Sequence, residues 1–421
     1  MACVIVGGGA AGFQAALTCR KRWPDKPVIL IDAEQEIGYY RALLPQFMVG
    51  KLEEEKLFFW RQLEDPLLTV RPGIKVTSLD RVTQRLHLEN GEKIEYERMI
   101  LAHGVSPNLP GIFAEQSCKG IFPVRNLTTA RKVRDWLLRH PHIVILGGSL
   151  VGVKTAVHLR MAGLKVSLVV RRNHTLLRVL TPDAAQLVDA HLQQMGVNLF
   201  LNSTIEEVRA EDGSIHAVHV GKQWLPCDTL LVAAGATPDS SFLEGSGLLE
   251  NGELVVSATL QTPDEKIFAA GDAATIAIAG GIKIRPGTWP HAVSQGKLAA
   301  ENLYEPVPKP LNILTHVNGM NLHGLPLVIL GPPVPGSEVL SYSMLSAGIL
   351  RELFLIDGRI VGGALVGDIS GAGPLHFMMN TGEKIDRRED DLLYPHGRAL
   401  PGFLGFRRKR EAFILPSERR L

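Results

Sequence analysis

The sequence predicts an α/β fold, and three observations carry that expectation. A short apolar strand, Val4-Ile5-Val6, runs into Gly7-Gly8-Gly9-Ala10-Ala11-Gly12, then a helix to about Arg22 and a second strand, Val28-Ile29-Leu30-Ile31-Asp32. The same order returns with Ile143-Val144-Ile145-Leu146, the loop Gly147-Gly148-Ser149-Leu150-Val151-Gly152, a helix to about Ala162 and the strand Val166-Ser167-Leu168-Val169-Val170-Arg171. Each copy is followed by a β-rich stretch that closes on a buried strand and a small-residue turn: Met99-Ile100-Leu101-Ala102-His103-Gly104 and Leu230-Leu231-Val232-Ala233-Ala234-Gly235. A strand, a glycine turn, a helix and a parallel strand form a Rossmann-like dinucleotide-binding unit. Two such domains are therefore expected, followed by a C-terminal α+β domain.

The composition agrees with this and excludes several alternatives. The 421 residues are enough for about three domains. Lys+Arg number 45 and Asp+Glu 43, a net charge of +2, which does not suit bulk nucleic-acid binding. The four cysteines, Cys3, Cys19, Cys118 and Cys227, form no close pair in sequence, so no metal site, cysteine-held iron–sulfur cluster or disulfide framework is expected. No apolar run approaches the ~20 residues of a membrane span. The chain enters a strand pattern directly, with no charged leader, so a cytoplasmic location is expected.

In the first loop, Gly7 suits a tight turn, Gly9 lets backbone approach a phosphate, and Gly12 lets the helix pack on the strand. Ala10 and Ala11 open the helix beside them. Asp32 stands at the end of the second strand, where an acid accepts hydrogen bonds from a ribose. A lone glycine fingerprint is weak, but here the strand, helix and terminal acid are all present. In the second loop Gly147 and Gly152 keep their places, and Ser149 replaces the middle glycine. Arg171 and Arg172 stand where an acid would select NAD. An arginine there suits the 2′-phosphate of NADP, while solvated strand-end charges would look the same. Asn90-Gly91, Glu211-Asp212-Gly213-Ser214 and Asp357-Gly358 mark turns, the last between two alternating strands.

Together, the two fingerprints, Ala102–Gly104, Ala234-Gly235 and the late Gly271-Asp272 resemble the FAD-dependent pyridine nucleotide-disulfide oxidoreductase superfamily over about residues 2–304. The resemblance implies FAD in a domain of residues 1–112 and 253–325 and NAD(H) or NADP(H) in residues 113–252. Residues 326–421 would form an interface domain. It implies cofactor contacts at Gly7, Gly9, Ala10, Ala11, Gly12, Asp32, Arg41, Pro45, Val76, Ala102, Gly104, Gly271, Asp272, Trp289 and Ala292. On the nicotinamide side it implies Gly147, Ser149, Gly152, Arg171, Arg172 and Gly235. A helix near Trp289–Leu303 would aim its N-terminus at the flavin, where it favours negative charge on the reduced ring.

The departures from the superfamily pattern are as informative. Ile37-Gly38-Tyr39-Tyr40-Arg41-Ala42-Leu43-Leu44-Pro45-Gln46 contains no thiol, so disulfide or peroxide chemistry through a protein cysteine is not expected. That segment resembles the Tyr-x-Arg-x-x-Leu stretch of ferredoxin, rubredoxin and nitrite reductase flavoproteins. Where many relatives pair a lysine with a glutamate beside the flavin, this chain has Gln46 and Lys154, the two candidate catalytic residues. His103, in place of the usual threonine, and His291 read as packing residues.

The implied activity is electron transfer between NAD(P)(H) and an iron–sulfur partner through FAD. The chain would act as a flavin subunit of a larger complex, such as an anaerobic 2-oxoacid (phenylglyoxylate) dehydrogenase. The alternatives are a stand-alone NAD(P)H oxidase or quinone reductase, and a non-catalytic NADH-sensing flavoprotein. The tail from 402 to 421 holds six Lys or Arg against two Glu. Arg407-Arg408-Lys409-Arg410, with Phe403, Phe406, Phe413 and Leu415, reads first as a solvated tail, with docking to an acidic redox partner and contact with a membrane surface as the lesser readings.

Overall fold

The computed structural model describes residues 1–59, 65–114, 118–278, 283–311 and 317–385. The basic tail with its four phenylalanine and leucine positions lies outside the described residues. Its helices are α1 (Ala10–Arg22), α2 (Leu44–Met48), α3 (Gly111–Ala114), α4 (Leu127–Leu137), α5 (Leu150–Met161), α6 (Pro182–Gln194), α7 (Trp289–Asn302) and α8 (Ala372–Thr381). Among the described residues, no helix is long and apolar enough to cross a membrane. The chain divides into two compact units, Met1–Asn173 with Met195–Asn312, and His174–Gln194 with the chain from Ile313 onward.

The first unit holds both repeats. Ala2–Val6 is fully buried and runs parallel to Val28–Ile31 on one side and Lys93–Leu101 on the other. Leu68–Arg71 extends one edge in parallel, and Ile267–Ala269 pairs in parallel with Lys93–Leu101. Near-continuous apolar strands are what a sheet covered on both faces requires. The second repeat builds a five-stranded parallel sheet in the order Asn198–Phe200, Lys165–Val169, His142–Leu146, Thr229–Val232, Ile121–Pro123. In each repeat the glycine loop sits at the carboxyl end of a central strand, where an open α/β sheet binds ligands. The second strand of that repeat ends at Val169, earlier than its apolar run suggests. Val170 stays buried, its N–H donating to the Phe200 carbonyl of the neighbouring strand at 2.8 Å, and Arg171 emerges in the loop beyond.

α1 crosses α7 at close range because both helices are small where they meet. A Cβ on Gly296 would run into the Ala11 carbonyl, and one on Gly271 would lie 2.9 Å from Ala11 Cβ. This crossing brings the 271–273 turn to the start of α1, though more than 250 residues separate them in sequence. Two short antiparallel strands, Ser106–Pro107 and Ala236–Thr237, tie together the two connections between the repeats.

The second unit is an antiparallel sheet in the order Asn318–Asn321, Pro326–Gly331, Arg359–Val366, Ile349–Ile356, Glu338–Met344. Asp357 (φ 50°) and Gly358 (φ 72°) form the two-residue hairpin that the sequence announces. Its two strands do not alternate as expected, being buried along nearly their whole length. The reason is a helix on each face. Leu353 and Leu355 pack with Leu375, Met378 and Met379 of α8. On the opposite face, Glu352 Oε2 accepts from Thr181 Oγ1 (2.6 Å) at the start of α6, and His191 of α6 bonds the Leu322 carbonyl (2.6 Å).

Candidate functional site

The first glycine loop is fixed by contacts that only glycine permits. Gly7 has φ 106°, and a Cβ there would strike the Ala102 carbonyl. A Cβ on Gly12 would strike the Gly7 carbonyl in turn. Strand, loop, helix and the Ala102 turn are thereby locked together. Gly9 is the opposite case: it caps α1 and has open space beyond its Cα. Backbone N–H groups at a helix start facing free volume suit an anion such as a pyrophosphate. Asp32 closes this side, accepting from Gly8 N through Oδ2 and from Glu34 N (2.6 Å) through Oδ1. Burial pushes its carboxyl pKa up, and the two backbone bonds oppose that shift.

The rest of the cradle comes from distant sequence. Asp272 follows Gly271, whose N–H donates to Gln295 Oε1 (2.7 Å) on α7. Asp272 Oδ2 is 3.2 Å from Arg125 Nη2, and the Arg125 carbonyl accepts from Arg41 Nη1 (3.2 Å). Arg41 is held by Glu34 Oε1 (2.8 Å) and the Tyr39 hydroxyl (2.7 Å). Burial works against its charge, but Tyr39 and Glu34 more than offset this and its pKa is raised. Gly104 (φ 72°) lies under Arg125, with the ideal Cβ position 4.0 Å from Nη2. Ala292 is nearly buried on α7, and Trp289 in its first turn packs on Tyr40 (4.9 Å) and Phe59 (5.1 Å). Ala10 packs against the first core, Pro45 is buried in the first turn of α2, and Val76 is buried at the start of Val76–Asp80.

Arg125 and Gln295 belong to this site, and no motif announces either. Arg125 lies in an ordinary strand-to-helix connection before the Asn126 cap of α4, and only the tertiary fold sets it against Asp272. Arg125 Nε is buried with no hydrogen-bond partner among the described residues. A buried guanidinium nitrogen left unpaired is costly, and an anionic group placed there would satisfy it. That orphan donor and the open space at Gly9 fit FAD, whose pyrophosphate needs cations and backbone N–H groups together.

The second loop repeats the lock. Gly147 (φ 123°) meets Ala233, and a Cβ on Gly152 would strike the Gly147 carbonyl. Ser149 caps α5, its Oγ accepting from Gly152 N at 3.5 Å and donating to the Ala233 carbonyl at 3.4 Å. Gly235 (φ 104°) lets the chain turn beside it. Arg171 and Arg172 are both exposed, and no acid stands at this strand end.

Between the two loops, α2 packs on α5. Lys154 of α5 and Gln46 of α2 are both half-buried there. Burial pulls the Lys154 pKa down, with no charged neighbour contributing. His103 is packed: its ring meets Phe242 edge to face (5.0 Å), its Nε2 is 3.3 Å from Ser240 Oγ, and burial pushes its pKa down to about 4. The thiols are elsewhere. Cys3 and Cys19 are buried together in the first core with Sγ atoms 4.0 Å apart, Cys227 is buried in the second, and Cys118 is half-buried.

Residues 1–296 match the family described as pyridine nucleotide-disulphide oxidoreductase. The chain is similar to rubredoxin-NAD(+) reductase of Pseudomonas putida, 27% identical over 334 residues, covering 77% of this chain and 86% of the relative. It is also similar to subunit epsilon of NADH-dependent phenylglyoxylate dehydrogenase of Aromatoleum evansii, 24% identical over 368 residues, covering 85% and 86%. Among solved structures, the ferredoxin reductase for the CYP199A2 system of Rhodopseudomonas palustris superimposes with a TM-score of 0.84 at 22% identity, covering 91% of this chain and 95% of that one, a likeness of fold. Two locked glycine cradles, a buried guanidinium nitrogen of Arg125 without a hydrogen-bond partner among the described residues and a family match over most of the chain lead to one assignment: the chain belongs to the pyridine nucleotide-disulphide oxidoreductase family and is an FAD-dependent NAD(P)H oxidoreductase.

Proposed function

We propose that this chain passes electrons between NAD(P)(H) and a separate iron–sulfur protein through FAD, as the flavin subunit of a multi-subunit complex. The substrate of that complex would belong to the 2-oxoacid class, with phenylglyoxylate the case that one similar subunit points to. The observation that carries this reading is the cradle segment Ile37–Gln46. It supplies Arg41 and Pro45 but no thiol, and the four cysteines of the sequence lie in other parts of the fold. Disulfide chemistry at the flavin needs a thiolate within reach. Without one, electrons must leave the flavin for an external acceptor.

In this reading residues 1–112 and 253–325 hold FAD, residues 113–252 hold the nicotinamide nucleotide, and the chain from 326 serves contacts with other subunits. FAD supplies a ring that accepts two electrons as hydride and releases them singly. The Gly7–Gly12 loop and Arg125 would bind its pyrophosphate. Asp32 would hold a ribose, and Asp272, positioned by Arg125 and the 271–273 turn, would hold the chain that links ring to phosphate. Gly147, Ser149 and Gly152 would hold the nicotinamide dinucleotide, which supplies or accepts the hydride that the flavin exchanges. Arg171 and Arg172 favour NADPH on physical grounds, whereas the names of both relatives print NAD. A cytoplasmic setting accompanies this reading and rests on the four cysteines being thiols.

Anoxic copurification followed by rapid mixing with NADH and with NADPH tests the reading. A bound flavin, bleached by at least one nucleotide and reoxidised faster by an iron–sulfur partner than by air, is the expected result. Rapid reoxidation by oxygen or a quinone alone would make the chain a stand-alone oxidase or quinone reductase. A long-lived reduced complex with no acceptor would make it a sensor.

A further inference from the structure

Lys154 is half-buried and has no carboxylate partner among the described residues. It lies on α5 just past the second glycine loop, on the face it shares with His158 and Met161 at helical spacing. Lys51 Nζ donates to the Met161 carbonyl at 3.4 Å, which sets the chain leaving α2 against the far end of that face. α2 belongs to the first repeat and α5, which packs on it, to the second, so Lys154 is half-buried on a helix at the seam of the two repeats. Of the carboxylates flanking α2 in sequence, Glu36 and Glu54 are engaged by Arg131, Glu34 by Arg41, and Glu53 and Glu55 are exposed. Arg134 lies over the Phe47 ring of α2 at 4.9 Å. A half-buried ammonium without a carboxylate loses hydration that nothing in the described chain returns.

An anionic ligand would return it. Uptake of a hydride brings two electrons and one proton, leaving one negative charge on the flavin unless a further proton follows, while NAD(P)H becomes NAD(P)⁺. We propose that Lys154 acts through space on the bound flavin, favouring its reduced, negatively charged form, so that this chain's flavin is reduced more readily than one with a neutral or acidic side chain at that place. The proposal rests on the reading that FAD occupies the first cradle with its ring at the seam. Gln46 on α2 is uncharged and supplies no carboxylate to pair with Lys154.

The test is an anoxic equilibrium titration of the flavin-loaded protein with mixtures of NADH and NAD⁺. It reads the ratio at which half the visible flavin absorbance is bleached. Lys154→Met keeps the apolar stem and removes the charge, so the ratio should rise roughly tenfold, and Lys154→Glu should raise it by roughly a hundredfold. Lys154→Arg, which restores a cation, should stay within about threefold of the parent protein. If the Met and Glu variants keep their flavin and both fall within about twofold of the parent, Lys154 is a packing residue and the proposal fails alone. If the parent protein carries no flavin at all, the functional reading fails and takes this proposal with it.

Discussion

The two cradles are made from the same parts and finished differently. Both lock a strand to a helix through paired glycines, Gly7 with Gly12 and Gly147 with Gly152, each pair packed so tightly that no Cβ would fit. The first is then enclosed by residues drawn from the whole unit: Arg41, Arg125, Asp272, Gln295 and Trp289. The second keeps an open strand end with two exposed arginines. The first has Gly9 with free space at its middle position, whereas the second has Ser149, which spends its hydroxyl capping α5. An enclosed cradle with buried anchors releases its ligand slowly, and an open one exchanges it. The comparison teaches that the same strand, glycine loop and helix suit tight or exchangeable binding depending on what the surrounding chain adds.

The sharpest way to break this comparison is to destroy one lock at a time. Gly12→Val should yield protein without flavin, because the side chain meets the Gly7 carbonyl. Gly152→Val should keep its flavin yet no longer be bleached by either nucleotide. Absorbance of the purified variants reads both outcomes, and loss of flavin from the Gly152 variant would mean that the cradles do not serve separate ligands.

Arg125→Met tests the enclosure itself. Loss of a charge-assisted contact to a pyrophosphate should weaken FAD binding roughly 10- to 100-fold, read from fluorescence of the released flavin. Unchanged affinity would leave Arg125 with the sole task of holding Asp272.

At the open cradle, the double change Arg171→Ala with Arg172→Ala should raise KM for NADPH roughly tenfold while moving that for NADH by less than about twofold. Parallel changes for both nucleotides would make these arginines solvated loop charges.

The smallest expected effect concerns pH. In the unfolded chain His103 takes up a proton below about pH 6.5. Folded, its buried ring resists until about 4. The unfolded state therefore binds more protons in that window, so the stability due to a neutral His103 is complete above about 6.5 and is lost as pH falls toward 4. At pH 5 the loss is roughly 2 kcal/mol. His103→Gln should flatten the fall in Tm between pH 7.5 and 5 by a few degrees, and an unaltered slope would assign the acid sensitivity to other groups.

Much of this could be read in the sequence because it is local. Gly7, Gly12, Gly147 and Gly152 announce the cradles through the backbone conformations that their spacing requires. The Asp357-Gly358 hairpin follows from left-handed geometry at two adjacent residues. The strand pair around that hairpin was misread, since alternation describes a sheet with one open face and these strands have a helix on both. The apolar run also overshoots the Lys165–Val169 strand by a residue, because buried Val170 keeps only one hydrogen bond to the neighbouring strand, at Phe200.

What the sequence by itself determined is the pair of cradles and the lack of a thiol at the segment that crosses the first. Both are properties of residue identity at short spacing. What only the tertiary structure decided is which distant charges close the first cradle and which are left unpaired: Arg125 against Asp272, Gln295 under Gly271, Lys154 alone at the seam. Glycine spacing acts through backbone geometry, which neighbouring residues fix. A charge acquires its role from burial and from the partners the fold brings within a few ångströms, and separation along the chain carries no record of either.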